Sequence, residues 1–241
     1  MPKVNFVKMN LDRNIELVRW CFNENDDELI SFHSQTVSLF PELKNNSNDV
    51  KTIVTKTYKE KEKLLESATI NYEKAWSKYN DDFFKILCNY LEINWPSNHN
   101  TVIADVGIIP VCPRYLDEFS FSVFEGMNND QIIEICAHEL CHFLWFNKWK
   151  EVFPDYSRKD FESPSIIWEY SEMVVDPILN SPEFVNIFGK KTRYAYNSFY
   201  EEDGLMEGLF EIYNENIPIE EKIKKGFEYV KDRKEKKENN R

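Results

Sequence analysis

Glycine is scarce in this chain, with 6 in 241 residues. Neither G-x-G-x-x-G nor G-x-x-x-x-G-K-[ST] occurs, so the usual glycine-rich cradles for phosphate are missing and nucleotide binding is disfavoured. Positive charge is in deficit. The 30 lysines and arginines face 42 acidic residues, for a formal net charge of -12, and such a surface repels a phosphate backbone, which argues against nucleic acid as a partner. Residues 221–241 are locally basic and read as a solvated, fraying terminal helix. No run approaches the roughly 18 apolar residues of a membrane span, and residues 1–12 show no apolar stretch behind their lysine, so neither a membrane segment nor a signal peptide is expected. Cysteine is sparse and odd in number: Cys21, Cys88, Cys112, Cys136 and Cys141. Scattered among apolar neighbours, they read as buried thiols of a reducing compartment, which predicts a cytoplasmic protein.

What remains is the composition of a globular protein, with 42% hydrophobic, 15% aromatic and 30% charged residues. There is no internal repeat and no glycine/serine linker. Residues 50–65 and 69–91 carry apolar side chains at helical spacing, and residues 94–100, with Pro96, end that region. Residues 101–111 (TVIADVGIIPV) are rich in β-branched residues, and 118–124 (EFSFSVF) alternate aromatic or apolar residues with serine, so both read as strands. Asn128 and Gln131 form a candidate cap pair for a helix over 130–149, in which Ile133, Cys136, Ala137, Leu140, Phe143 and Leu144 make an apolar face. Ser165 is a candidate cap for a second helix running toward Leu179, and later segments are again helical. The order of helices, a small sheet, then helices predicts an α+β fold. The expected divisions are 1–96 (helix-rich), 97–217 (core) and 218–241 (charged helix), forming one continuous globular unit.

The chemistry is concentrated in the first of these two helices. Only 4 histidines are present, and two stand in His138-Glu139-Leu140-Cys141-His142, an H-E-x-x-H motif. Residues four apart on a helix lie one turn above each other, so both imidazoles can reach one tetrahedral zinc ion at about 2.0–2.1 Å. Glu139 projects at another angle and can serve as general base toward the metal-bound water. The alternative is a pair of histidines with no metal. By composition such a pentapeptide arises in roughly one comparable chain in a hundred, the false-positive risk of a short pattern. A catalytic zinc site needs a third protein ligand. No histidine follows His142, so a carboxylate must supply it.

In Trp168-Glu169-Tyr170-Ser171-Glu172-Met173-Val174-Val175-Asp176 the sequence resembles the gluzincins, the thermolysin-like zinc metallopeptidases. Their second helix carries E-x-x-x-D. The resemblance implies a zincin-like fold, with a small mixed sheet, an active-site helix and a ligand helix. It also implies one Zn2+ per chain held by His138, His142 and Glu172, and Asp176 as the hydrogen-bond partner of His138. Glu169 is a rival ligand, a solvated helix face is the plain alternative for both glutamates, and Pro177 disfavours helical backbone at Asp176. Thermolysin-like enzymes stabilise the oxyanion with a histidine and a tyrosine. With no downstream histidine here, Tyr194 is the leading candidate, among Arg193, Tyr196, Tyr170 and Arg114. The implied substrate is an extended peptide or protein segment, paired to a strand expected at 119–124. Cys141 reads as a small packed hydrophobe. Two other readings stay open: a zincin scaffold that binds metal without catalysis, and a helical interaction module. Oligomeric state, and endo- against exopeptidase action, are not legible.

Overall fold

A computed structural model of the chain describes residues 1–26, 31–44 and 49–239. The fold is α+β, with a mixed four-stranded sheet and helical N- and C-terminal regions. Two compact units divide it. One comprises residues 2–80 and 97–136, and the other residues 81–96 and 137–241 together with Met1.

The first unit holds the sheet. Strands β1 (Lys3–Lys8), β2 (Thr101–Gly107), β3 (Arg114–Tyr115) and β4 (Ser120–Phe124) lie in the order β1-β2-β4-β3. The first three in that order are parallel and β3 is antiparallel to β4. Registers Phe6↔Ala104 and Ala104↔Phe121 put Val4, Phe6, Val102, Ala104, Val106, Phe121 and Val123 on one face. All seven are buried. Helix α4 (Glu62–Trp76) packs on β1 and β2. Its Tyr72 meets Phe6 edge-on at 6.1 Å and places its hydroxyl 2.8 Å from the carbonyl of Phe124. The opposite face is polar, carrying Asp105, Ser120 and Ser122, and Arg13 reaches Asp105 at 3.4 Å. Burial pushes the Asp105 carboxyl up, against the pull of Arg13.

Helix α1 (Leu11–Asn23) starts at Asn10, whose side chain accepts from the Arg13 amide at 2.8 Å. Within it, the fully buried Asn14 donates to the carbonyls of Met9 (3.1 Å) and Asn10 (2.9 Å) and accepts from the Ile108 amide (3.1 Å). One amide side chain thus ties the end of β1, the start of α1 and the residue after β2. Helix α2 (Phe32–Leu39) and helix α3 (Val50–Glu60) pack on α1.

Two expectations for this unit change. The N-terminal strand β1 was not foreseen, although its alternation of buried Val4 and Phe6 with exposed Lys3 and Asn5 is a strand pattern. The strand at 119–124 is an inner strand, with β2 on one side and β3 on the other. On its outer side β3 pairs with it at Ser120 and Phe121, and β3 is the antiparallel edge of the sheet.

Helix α5 (Asn80–Tyr90) and helix α6 (Asn129–Val152) each carry the chain from the first unit into the second. The second unit is otherwise built of α7 (Ile166–Leu179), α8 (Pro182–Phe188), α9 (Asn197–Glu201), α10 (Leu205–Asn214) and α11 (Ile219–Asn239). Helix α7 is buried on all sides from Ile167 to Leu179 apart from Glu169, with Ser171, Glu172 and Asp176 buried among its apolar residues, and α10 and α11 pack against it. Tyr170 of α7 meets Tyr213 of α10 hydroxyl to hydroxyl at 2.9 Å and donates to the Ile223 carbonyl of α11 at 3.1 Å. A Cβ at position 226 would come within 2.4 Å of the Tyr170 hydroxyl, so Gly226 is what lets α11 approach so closely. Helix α11 is therefore packed rather than solvated as far as Val230, while 231–237 are exposed or half-buried. Ile223, Phe227 and Val230 are buried, and Trp149, Tyr170 and Phe227 form an aromatic cluster.

All five cysteines are free thiols. Cys21, Cys136 and Cys141 are buried, and Cys88 and Cys112 are half-buried. Among the described residues no helix is long and apolar enough to cross a membrane.

Candidate metal centre

The helices that carry the motif residues are set by their own sequence. At the start of α6, Asn128 Oδ1 accepts from the Gln131 amide (3.0 Å), and Gln131 Oε1 accepts from the Asn128 amide (2.9 Å), a reciprocal cap. At the start of α7, Ser165 Oγ accepts from the Trp168 amide at 3.1 Å. From Cys136 to Trp149, α6 is buried almost continuously, interrupted at His138 and Asn147. Ile133, expected on the apolar face, is only half-buried, and Ile132 is buried instead.

His138 and His142 stand one turn apart with ring centroids 4.7 Å from each other. Phe146, a further turn on, stacks on His142, and Phe161 stacks on Phe146 at 4.6 Å, which fixes the inner imidazole from behind. The two Nε2 atoms are 3.0 Å apart. Glu172 of α7 brings Oε2 to 3.1 Å from His138 Nε2 and Oε1 to 3.4 Å from His142 Nε2. Side-chain exposure falls from 12% at His138 to 3% at Glu172 and 0% at His142.

These separations test whether the residues suit a metal ion. Tetrahedral bonds of about 2.0–2.1 Å span edges of about 3.3–3.4 Å; the two Nε2 atoms are within a few tenths of an ångström of such an edge, each has one of the two Glu172 oxygens at 3.1 or 3.4 Å, and one donor atom from each of the three residues lies within 4.8 Å of the others. Two imidazoles and one carboxylate form a donor set suited to zinc. The residues fit a single metal ion, and they are the candidate metal group found among the described residues. Glu139 lies beside this group, with Oε1 3.9 Å from His138 Nε2 and the residue 5% exposed.

Of the two glutamates weighed as third ligand, Glu172 converges on the histidines. Glu169 is held in an ion pair by Lys234 of α11. Asp176, one turn beyond Glu172, is fully buried within α7. Contrary to the expectation from Pro177, the helix continues through Asp176. Pro177 gives no N–H to the Met173 carbonyl, but only two residues of α7 follow it, so little of the ladder is lost. Asp176 Oδ1 accepts from the Tyr194 amide at 2.5 Å, and Oδ2 accepts from the Tyr200 hydroxyl. Burial pushes its carboxyl up, while Tyr200, the Tyr194 and Ala195 amides and the field of His138 pull it down.

Tyr194 therefore reaches Asp176 through its main chain, and the residue is half-buried. Tyr170, a weaker candidate, is committed to Tyr213 and Ile223 in the helical core. Arg114 belongs to β3 of the sheet unit. Arg193 stacks over the Tyr200 ring with its guanidinium carbon 4.0 Å from the centroid. Cys141 is fully buried and its thiol is pushed up by burial first and by Glu172 second, as a packed hydrophobe would be. The residues not singled out from sequence are Tyr200 and Asn180. Asn180 caps α7, accepting from the Thr192 amide at 2.9 Å and donating to the Thr192 carbonyl at 2.7 Å. An asparagine just past a helix end is a readable signal. Tyr200 sits 24 residues beyond Asp176 and carries none.

Comparison with known protein families, curated proteins and solved structures found no match for this chain.

Proposed function

We propose that the chain is a zinc-dependent metallopeptidase acting on peptide bonds, with one Zn2+ per chain on His138, His142 and Glu172. The observation that carries this reading is the convergence of those three residues, one donor atom from each within 4.8 Å of the others, with the buried carboxylate of Glu139 alongside. A metal needs only the histidines and the third ligand. The glutamate of the motif adds nothing to holding it, and its burial there supports hydrolysis. Bound zinc supplies a Lewis acid that brings the pKa of a coordinated water toward 7 and polarises a carbonyl.

The chain's own residues do the rest. Glu139 takes the proton from the attacking water and returns it to the leaving amine. Phe146 and Phe161 hold His142 in place and keep bulk water from the inner side of the site. The phenol of Tyr194 is our assignment for the donor to the developing oxyanion, because His33, His99, His138 and His142 are the only histidines in the sequence and none lies beyond the motif. The substrate is a peptide or protein segment, the net charge of -12 argues against nucleic acid, and the free thiols fit a cytoplasmic setting.

The test combines metal analysis with a peptide-library cleavage assay. Wild type is expected to hold one zinc and to cleave. Glu139→Gln is expected to hold zinc and lose cleavage, and His138→Ala to lose both. A wild-type protein that takes up no zinc overturns the reading. Zinc bound without cleavage of any library member leaves a metal-binding scaffold in its place.

A further inference from the structure

Helix α4 buries one side and shows the other to solvent. Leu65, Ala68, Tyr72, Ala75 and Trp76 are buried, while Glu62, Glu66, Ile70 and Lys74 are exposed, as is Lys78 just past the helix end. These five residues follow one another at four-residue steps and so form one ridge. Ser77, in helical backbone at the C-cap, carries the ridge to Lys78. Ile70 stands at its centre, 69% exposed. A lone exposed isoleucine is ordinary. The order of charge around this one is less so, with two acids before it and two bases after it at matching steps. The helix dipole accounts for Glu62 and Lys74, in the first and last turns, but its influence fades before Glu66. Glu62 and Glu66 each give Oε1 to Lys8, at 3.0 and 3.2 Å, and both side chains stay more than half exposed. No ion pair with another described residue engages Lys74 or Lys78.

We propose that this ridge is a contact between two copies of the chain, in which α4 packs antiparallel on α4 of the second copy about a two-fold axis at Ile70. A two-fold contact requires a surface complementary to itself. Centred on Ile70, the antiparallel pairing sets isoleucine on isoleucine, Glu66 against Lys74 and Glu62 against Lys78, each ion pair occurring twice. The exposed flanking residues agree. Lys63 falls against Ser77 and Ser67 against Glu73, so no like charges are opposed. Side chains four apart are also the rows that interdigitate in the commonest helix packing. A ridge acidic at one end and basic at the other selects a partner of the same order running the opposite way. The chain itself supplies that partner, despite its net charge of -12. One helix pair falls short of the roughly 1,200–2,000 Å² of stable interfaces, so the association is reversible and shows at high protein concentration. The surface lies in the sheet unit, and the inference is independent of the proposed metal site.

Sedimentation velocity of the full chain, over a concentration series reaching the millimolar range at low salt, tests this. Wild type is expected to pass from monomer to dimer, and to return toward monomer in 1 M salt, where the Debye length falls to about 3 Å. Glu66→Lys and Lys74→Glu each oppose like charges at two symmetric places and are expected to weaken dimerisation roughly tenfold or more. Mixed in equal amounts, these two variants restore both opposite pairs and are expected to associate about as tightly as wild type. Ile70→Asp is expected to stay monomeric. All three positions are exposed, and circular dichroism of each variant checks that its fold is intact. A wild type that is monomeric throughout the series overturns the proposal and leaves the ridge to solvent or to an unrelated helix. Self-association unchanged in the three variants, or no association on mixing, overturns it equally.

Discussion

The Nε2 atoms of His138 and His142 face each other at 3.0 Å. Two neutral imidazoles cannot both present lone pairs across that gap without a proton or a cation between them. Removing metal from the purified protein is therefore expected to destabilise it. At free zinc a hundredfold above Kd, the loaded protein gains about 2.7 kcal/mol. In a chain of this size that is a rise in Tm of about 5–10 °C, readable by calorimetry before and after chelation, with one equivalent restoring it.

The two glutamates of α7 should separate cleanly. Glu172→Gln is expected to abolish zinc retention on dialysis. Glu169→Gln should keep the metal and lose only its partly exposed pair with Lys234, about 0–1 kcal/mol. Metal content and urea unfolding of the two variants check this, and loss of zinc from Glu169→Gln would reverse the assignment.

Lys148 of α6 is buried to 3% and pairs with Glu220 of α11, more weakly with Glu151 at 3.4 Å. Burial alone would lower its pKa, but the two carboxylates outweigh it and hold it above the usual lysine value. Lys148 in turn draws Glu220 below its ordinary 4.5. The pair therefore stabilises the fold above about pH 4.5 and below about pH 10.5, and is lost as pH falls through the depressed value of Glu220 or rises through the raised value of Lys148. Glu220→Gln is expected to cost about 1 kcal/mol at pH 7, discounted because Glu220 is over a third exposed. In a series of urea melts the difference from wild type should close as pH falls from 4.5 through the depressed value of Glu220.

Asn14 makes three hydrogen bonds from a fully buried site. Asn14→Ala is expected to destabilise the protein by about 2–4 kcal/mol, chiefly by leaving the Ile108 amide without its acceptor. The midpoint of urea unfolding reads it directly.

The two helices of the metal centre were legible because local rules govern them. The Asn128/Gln131 and Ser165 caps, the four-residue spacing of the histidines and the four-residue spacing of Glu172 and Asp176 all act within a few residues. Where the reading failed, the deciding contact was distant. The pairing of β1 with β2 joins Lys3 to Thr101, and nothing near residue 3 announces it except a short alternation. The strand at 119–124 shows the same period whether it is an edge or an inner strand, and only β3 decides. Tyr200 and the Lys234–Glu169 pair depend on where α9 and α11 come to lie, which no periodicity encodes. Pro177 misled because its effect depends on how much helix follows it.

The metal donors are also close along the chain. His138 and Glu172 are 34 residues apart, while β1 and β2 must bring together residues almost a hundred apart. Closing the shorter loop costs about 1 kcal/mol less entropy. An ion captured by α6 and α7 would thus act as a clip on a nascent helical pair, and on the proposed reading metal supply would bear on the order of folding as well as on the finished site.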